Sequence, residues 1–229
     1  MDVFGCIKVK ARLSRELIAL RAAKELSEGM YINLGIGLPT LVSQFIPEAM
    51  EVTLHAENGV LGYGRITIET KEMDIDLVNA GLQPVTLRPG ASFFNHADSF
   101  AMIRGGHIDL AILGGYQVSE KGDLANWTTS LEKVGAVGGA MDLACGVKRV
   151  VVLMQHVTIS GEPRIVRQCT YPLTARKVVN TIITDLAVIE VVKEGLVLKE
   201  IAPGWTPGEV QALTGPKLMV APDLKEIVL

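Results

Sequence analysis

The chain has 229 residues, 48% of them hydrophobic and 21% charged, with a formal net charge of −3. That balance belongs to a globular protein with a sizeable core and excludes intrinsic disorder. It gives no electrostatic basis for binding nucleic acid, and no run reaches the ~20 apolar residues that span a bilayer.

Met1 to Lys10 lack the apolar core of a secretory signal, so a cytoplasmic location is expected. Ser14 is placed to cap a helix reaching about Glu28, with Leu13, Leu17, Leu20, Ala23 and Leu26 on one apolar face and Gly29 at its end. Tyr31-Ile32-Asn33-Leu34 reads as a short strand entering Gly35-Ile36-Gly37-Leu38-Pro39. Thr40 to Ile46 reads as a helix and Val52 to Ala56 as a strand. Strand, Gly-rich turn, helix and strand in succession predict an α/β fold with a parallel sheet.

Glu57 then stands in His55-Ala56-Glu57-Asn58-Gly59-Val60-Leu61-Gly62-Tyr63-Gly64. Asn-Gly between apolar runs is a hairpin signal, since both residues tolerate positive φ, and on that reading Glu57 is a solvated turn residue. A carboxylate at the edge of a buried strand is also partly desolvated yet reachable, which suits a nucleophile. The ten residues alone carry both readings.

Val85 to Arg88 reads as a strand stopping at Pro89-Gly90, and Asp98 to Ile103 as a helix closed by Gly105-Gly106. Ile108 to Leu113 and Arg149 to Met154 are nearly continuous apolar runs, as strands buried on both faces should be. Gly139 to Ala144 suggests a short helix, and a further helix is predicted after Thr174-Ala175-Arg176, to about Thr181. Leu186 to Val192 and Leu196 to Ile201 form a hairpin pattern about Lys193-Glu194-Gly195, and Pro207 opens a helix over Gly208 to Leu213. No repeat or linker divides the chain, so residues 1–229 are expected to form one domain.

Three glycine clusters bear on chemistry. Gly35-x-Gly37 follows a strand and opens a helix, but without a third glycine or a downstream acid it reads as packing rather than a dinucleotide site. Gly135 to Asp142 places Gly138 and Gly139 at a helix start, where their amides would either face a developing oxyanion or close a tight turn. Arg104-Gly105-Gly106-His107 reads as a helix stop. Ser119, Ser130 and Ser160 lie in no nucleophile elbow, and Glu72, Asp74 and Asp76 read as a solvated acidic loop. Cys6, Cys145 and Cys169 form no Cys-x-x-Cys pair, and His55, His96, His107 and His156 show no ligand spacing, so no disulfide or metal site is expected.

Taken together, the segments Asn33 to Thr40, Glu57 to Gly62, Leu77 to Gly81, Ser99 to Asp109, Gly122 to Trp127, Gly138 to Leu143 and Cys169 to Thr174 resemble the β-subunit of the family I (3-oxoacid) CoA-transferases, in order and along nearly the whole chain. The wording of Phe93 to Phe100 and Ala136 to Gly139 is most like the 3-oxoadipate branch. The resemblance implies a single open, mostly parallel sheet flanked by helices, of the kind shared with ribose-5-phosphate isomerases. It implies that Glu57 is the catalytic glutamate, that Gly138 and Gly139 lie by the reacting carbonyl, and that Asn58 and Gly59 support the turn. It implies coenzyme A esters as substrates with no resident cofactor. It also implies a partner α-subunit in an α2β2 heteromer. Expected acids are 3-oxoadipate or acetoacetate with succinyl-CoA as donor. The alternatives are an acetate or short-chain-acid transferase, an acyl-CoA hydrolase, or a non-catalytic module binding a CoA ester or a sugar phosphate.

Two departures from the family pattern concern the acyl pocket. Many members carry Pro after the Gly-x-Gly that follows the catalytic turn, where this chain has Arg65, and Ser130 to Lys133 lack a Pro-Gly-Lys pattern. Arg65 is therefore a substrate-pocket candidate; His96, able to hydrogen-bond a substrate carboxylate though a lone His on an apolar segment, and Asn126 are the others.

Overall fold

The structure is a computed structural model and describes residues 10–67, 73–130 and 136–229. Met1 to Val9, Glu72, Leu131 to Lys133 and Gly135 lie outside these, and with them most of the expectations for the N-terminal segment and the Ser130 to Lys133 region.

Helix α1 (Arg15–Ala23) begins where predicted, because the Ser14 side chain accepts from the Leu17 N–H. It ends earlier than about Glu28. Beyond Ala23 the chain continues in short turns that still bury Leu26, and Gly29 turns it into the sheet at a φ of +77°. Strand β1 (Tyr31–Leu34) leads to a 3-10 helix (Pro39–Phe45) and then to β2 (Thr53–Ala56) and β3 (Val60–Ile66). After β4 (Val85–Phe93) come α2 (His96–Arg104), β5 (Leu110–Gly114), β6 (Gln117–Ser119) and β7 (Leu124–Ala125). Helix α3 (Ala140–Gly146), β8 (Arg149–Leu153) and β9 (Ile165–Val166) follow. The chain closes with β10 (Thr181–Ile183), the β11 (Ala187–Val192) to β12 (Gly195–Ile201) hairpin, α4 (Pro207–Ala212) and β13 (Leu218–Glu226).

Ten strands form one open sheet in the order β13-β12-β11-β10-β8-β5-β1-β2-β3-β4. Its central strands β10, β8, β5, β1 and β2 are mutually parallel, and antiparallel hairpins extend it on both sides. A small separate sheet has the order β7-β6-β9. Alternate residues of the central strands feed opposite cores. Ile32, Ile112 and Val151 pack with α1 and the 3-10 helix, while Ala111, Leu113 and Val152 pack with α2, α3 and α4.

Three further segments depart from the sequence reading. The helix predicted after Arg176 does not form. Lys177 has φ +54°, and the segment is bound by other partners: the Val178 and Val179 N–H groups donate to the Gly122 carbonyl, and the Leu124 N–H donates to the Ala175 carbonyl. Strand β4 does not stop at Pro89-Gly90. It bulges there, since Tyr63 pairs with Leu87 and Leu61 with Ser92, and an edge strand can spare the N–H that proline lacks. Strand β13 has no counterpart in the sequence reading; Pro222 sits in the matching bulge of the opposite edge, between the Leu198–Val220 and Glu200–Lys225 pairs.

Candidate functional site

In the sheet order, β1 is followed by β2 on one side while β5, β8 and β10 lie on the other. Between β1 and β5 the chain connections therefore diverge, and the carboxyl ends of the parallel strands open a crevice, the usual ligand position in such sheets. Glu57 stands at this place, directly after β2. The turn that carries it is closed by the Gly59 N–H donating to the Ala56 carbonyl at 3.0 Å. Asn58 anchors the turn from outside, with Nδ2 donating to the Val78 carbonyl at 2.8 Å.

Glu57 is half-buried, and its Oε2 accepts from Asn33 Nδ2 at 3.2 Å. Asn33 reaches it from the neighbouring strand, opposite His55 in the parallel register. The same amide nitrogen is 3.1 Å from His55 Nδ1 and 3.1 Å from the His55 carbonyl oxygen. Because an amide nitrogen can only donate, Nδ1 of His55 is the acceptor there and Nε2 carries the proton, donated to Ser99 Oγ at 3.0 Å. Burial pushes the His55 pKa down to about 4, which agrees with a neutral ring. The ring stacks on Phe94 with centroids 5.9 Å apart. Tyr63 is buried close by, and burial together with the Glu57 charge pushes its hydroxyl pKa up. Asn33 Oδ1 is a buried acceptor with no partner among the described residues.

The Gly139 backbone comes up against the Glu57 carboxylate, with Gly138 next to it in the chain. A Cβ built on Gly139 would lie 3.7 Å from Glu57 Oε1 and 2.9 Å from Phe100 Cζ, so only a residue without a side chain fits there undisturbed. Gly138 takes φ +55°, the left-handed conformation that glycine adopts freely. Glu57, Gly138 and Gly139 together border two hollows. One, of about 510 Å³, extends along the strand ends past Gly35, Tyr116, Asn126 and Arg164. The other, of about 730 Å³, opens over Asn58, Ala80, His96, Phe100 and Arg104.

The pocket candidates are divided by this geometry. His96 borders the second hollow, and its Nδ1 donates to the Glu57 carbonyl at 3.1 Å, so it braces the turn. Asn126 borders the first, but its amide is already engaged: Nδ2 donates to the Gly114 carbonyl at 3.1 Å and Oδ1 accepts from Thr174 Oγ1 at 2.6 Å. Arg65 borders neither. Strand β3 runs back antiparallel to β2, and Tyr63 already pairs with Leu54, so Arg65 is carried to the far end of the hairpin, into a hollow with Ser43, Glu48 and Arg88.

Sequence reasoning did not single out Asn33, which bonds Glu57, His55, which bonds Asn33, or Arg164, which lines the first hollow. For the first two a signal existed: Asn33 is polar inside the apolar run Tyr31–Leu34, and His55 lies two residues before Glu57 in a strand, on the same face. Among the described residues no cluster of His, Cys, Asp and Glu could hold a metal ion, and no helix is long and apolar enough to cross a membrane.

Comparison with known proteins bears on the family and the fold. The family profile described as coenzyme A transferase matches residues 15–213. The B subunit of 3-oxoadipate CoA-transferase from Pseudomonas putida is 52% identical over 212 residues, covering 92% of this chain and 99% of that protein. The B subunit of succinyl-CoA:3-ketoacid coenzyme A transferase from Helicobacter pylori is 52% identical over 200 residues, covering 87% of this chain and 96% of that protein. Among solved structures, an acyl-CoA transferase from Escherichia coli superposes with a TM-score of 0.75 at 21% identity, over 94% of this chain. This chain spans only 43% of that polypeptide.

Proposed function

The chain belongs to the coenzyme A transferase family, and we propose that it is the β-subunit of a 3-oxoacid CoA-transferase whose acyl carrier is Glu57. The observation that carries this reading is one half-buried carboxylate at the divergence of β1 and β5, held by Asn33, faced by glycine backbone and open to a hollow on each side.

The Glu57 carboxylate attacks the thioester carbonyl of an acyl-CoA. Collapse of the tetrahedral intermediate expels CoA thiolate and leaves a mixed anhydride. The thiolate then attacks the glutamyl carbonyl, releases the first acid as a carboxylate and leaves CoA on Glu57 as a thioester. The second acid runs the sequence in reverse. A thioester and a carboxylate are exchanged for another such pair, so no nucleotide is hydrolysed and no resident cofactor is needed. Amides of Gly138 or Gly139 donate to the oxyanion, each worth roughly 3–4 kcal/mol where such donors have been removed. The anhydride must be kept from water, and Leu113, Leu143 and Met154 give the first hollow an apolar wall for that purpose.

We take succinyl-CoA as donor and 3-oxoadipate as acceptor. Acetoacetate is the second acceptor to assay, because the relatives named for 3-oxoadipate and for 3-ketoacids are equally similar to this chain. The assembly proposed is a cytoplasmic α2β2 heterotetramer with an α-subunit as partner.

The test uses the reconstituted pair. Glu57→Gln and Glu57→Ala should abolish transfer, and mass spectrometry of wild type incubated with succinyl-CoA should find CoA on the peptide holding Glu57. Wild-type rates in either variant, or CoA on another residue, would overturn the assignment. Full activity of this chain without a partner would overturn its role as one half of a heteromer.

A further inference from the structure

We infer that Arg164 binds the free carboxylate of dicarboxylic substrates and so sets the choice of acid. This rests on the CoA-transferase reading of Glu57 and deepens it. Arg164 and Glu57 line the same hollow of about 510 Å³. Among the described residues lining it Glu57 is the one carboxylate, whereas Arg15 and Arg164 are both cations. The Arg164 side chain is half-buried, and no described residue forms an ion pair or hydrogen bond with its guanidinium. A guanidinium that no described residue pairs is open to a ligand carboxylate, which it can hold in a charge-assisted, two-pronged bond.

The root of the side chain is fixed from both sides. The Arg164 N–H donates to the His156 carbonyl at 3.1 Å, and the Val118 N–H donates to the Arg164 carbonyl at 3.0 Å, immediately before β9 joins β6. Arg15 is different: it is exposed, at the first turn of α1 and next to Glu16. The hollow that Glu57 and Arg164 share also offers Leu113, Leu143 and Met154 as a surface for methylenes. An acid reacting at Glu57 through one carboxyl can therefore lay its chain on apolar surface and give its other carboxylate to the planar fork of Arg164.

Once Glu57 is an anhydride or a thioester it is uncharged, and the charged groups that then line the hollow among the described residues are both cations, Arg15 and Arg164. The incoming acid meets that state of the enzyme. Both acids pass through one acyl site, so the same arginine reads the free carboxylate of a succinyl donor and that of a six-carbon oxo-diacid acceptor. Acetoacetate has no second carboxylate to offer.

The experiment compares the wild-type pair with R164Q, R164K and R15Q, using 3-oxoadipate and acetoacetate as acceptors. R164Q should lower kcat/KM for 3-oxoadipate relative to acetoacetate by about ten- to a hundredfold, chiefly through KM. R164K should recover part of the selectivity, and it decides the matter if R164Q fails to fold. The donors should follow the same order, with succinyl-CoA hurt more than acetoacetyl-CoA. Equal losses for mono- and dicarboxylic acids would overturn the proposal and point to CoA binding instead. A selective loss in R15Q with none in R164Q would also overturn it. A wild-type pair that transfers CoA to no acid would overturn the transferase reading itself, an outcome distinct from either.

Discussion

A Cβ on Gly59 would lie 2.2 Å from the Phe94 carbonyl oxygen, at a φ of +121°. The Phe94 N–H also donates to the Gly59 carbonyl at 3.1 Å, so neither chain segment can step aside without losing that bond. Gly139 is tight in another way. Its φ of −84° suits any residue, and the atom its Cβ would meet is the tip of the Phe100 ring, which can shift. The two glycines should therefore separate in experiment. Gly59→Ala should destabilise the fold by roughly 3 kcal/mol or more, read by urea unfolding. Gly139→Ala should cost no more than about 1–2 kcal/mol, while kcat falls on the order of a hundredfold because the methyl, at contact distance from Glu57 Oε1, takes space beside the carboxylate that the reacting acyl group needs. Equal effects of both changes on stability would contradict this division. At this scale the turn was legible: Glu57, Asn58 and Gly59 are adjacent in sequence, and the turn they make is local. The hold of Asn33 on Glu57 was not, because it crosses between two strands.

Among the elements, strands proved easier to read where they are buried than where they end the sheet. β5 and β8 appear as apolar runs because both faces are covered. β4 and β13 are edge strands, each interrupted by a proline inside a bulge, so their sequence carries the marks of a loop. The segment before β10 misled in the opposite sense. Ala175, Arg176 and Lys177 have good helix propensity, yet tertiary hydrogen bonds to Gly122 and Leu124 claim the backbone. Lys177, at φ +54°, is held in a conformation unfavourable for a residue with a side chain, while its N–H donates to Asp123 Oδ1 at 3.1 Å. Lys177→Gly keeps that N–H and removes the strain, at some cost in unfolded-chain entropy. It should raise stability by about 0.5–1 kcal/mol in thermal or urea unfolding. A loss of stability would show that the lysine side chain contributes more than its backbone costs.

Across the whole molecule, two buried histidines make stability depend on pH. His55 lies beside Glu57. His156 is bonded through Nδ1 to Thr184 and through Nε2 to Thr214, each at 2.9 Å. Burial pushes both pKa values down from 6.5 to about 4; for His156 the nearby Asp185 opposes the shift and Arg12 assists it. Between those values the unfolded chain binds protons that the folded chain does not. The stabilisation is thus complete above about pH 6.5 and is lost as the pH falls towards 4, by about 3 kcal/mol for each ring. Urea midpoints measured from pH 7 to pH 4.5 should fall steadily, and a flat profile would refute the prediction. The sequence by itself determined the parallel α/β core, the turn that carries Glu57 and the family, because buried strands and tight turns are written in neighbouring residues. Only the tertiary structure decided what surrounds Glu57. It carried Arg65 away down β3, brought Asn33 across from β1, and placed Arg164 in the same hollow from more than a hundred residues along the chain. The physical reason is that strand order and crossover direction set which side chains share a crevice, and neither is a property of any local run of residues.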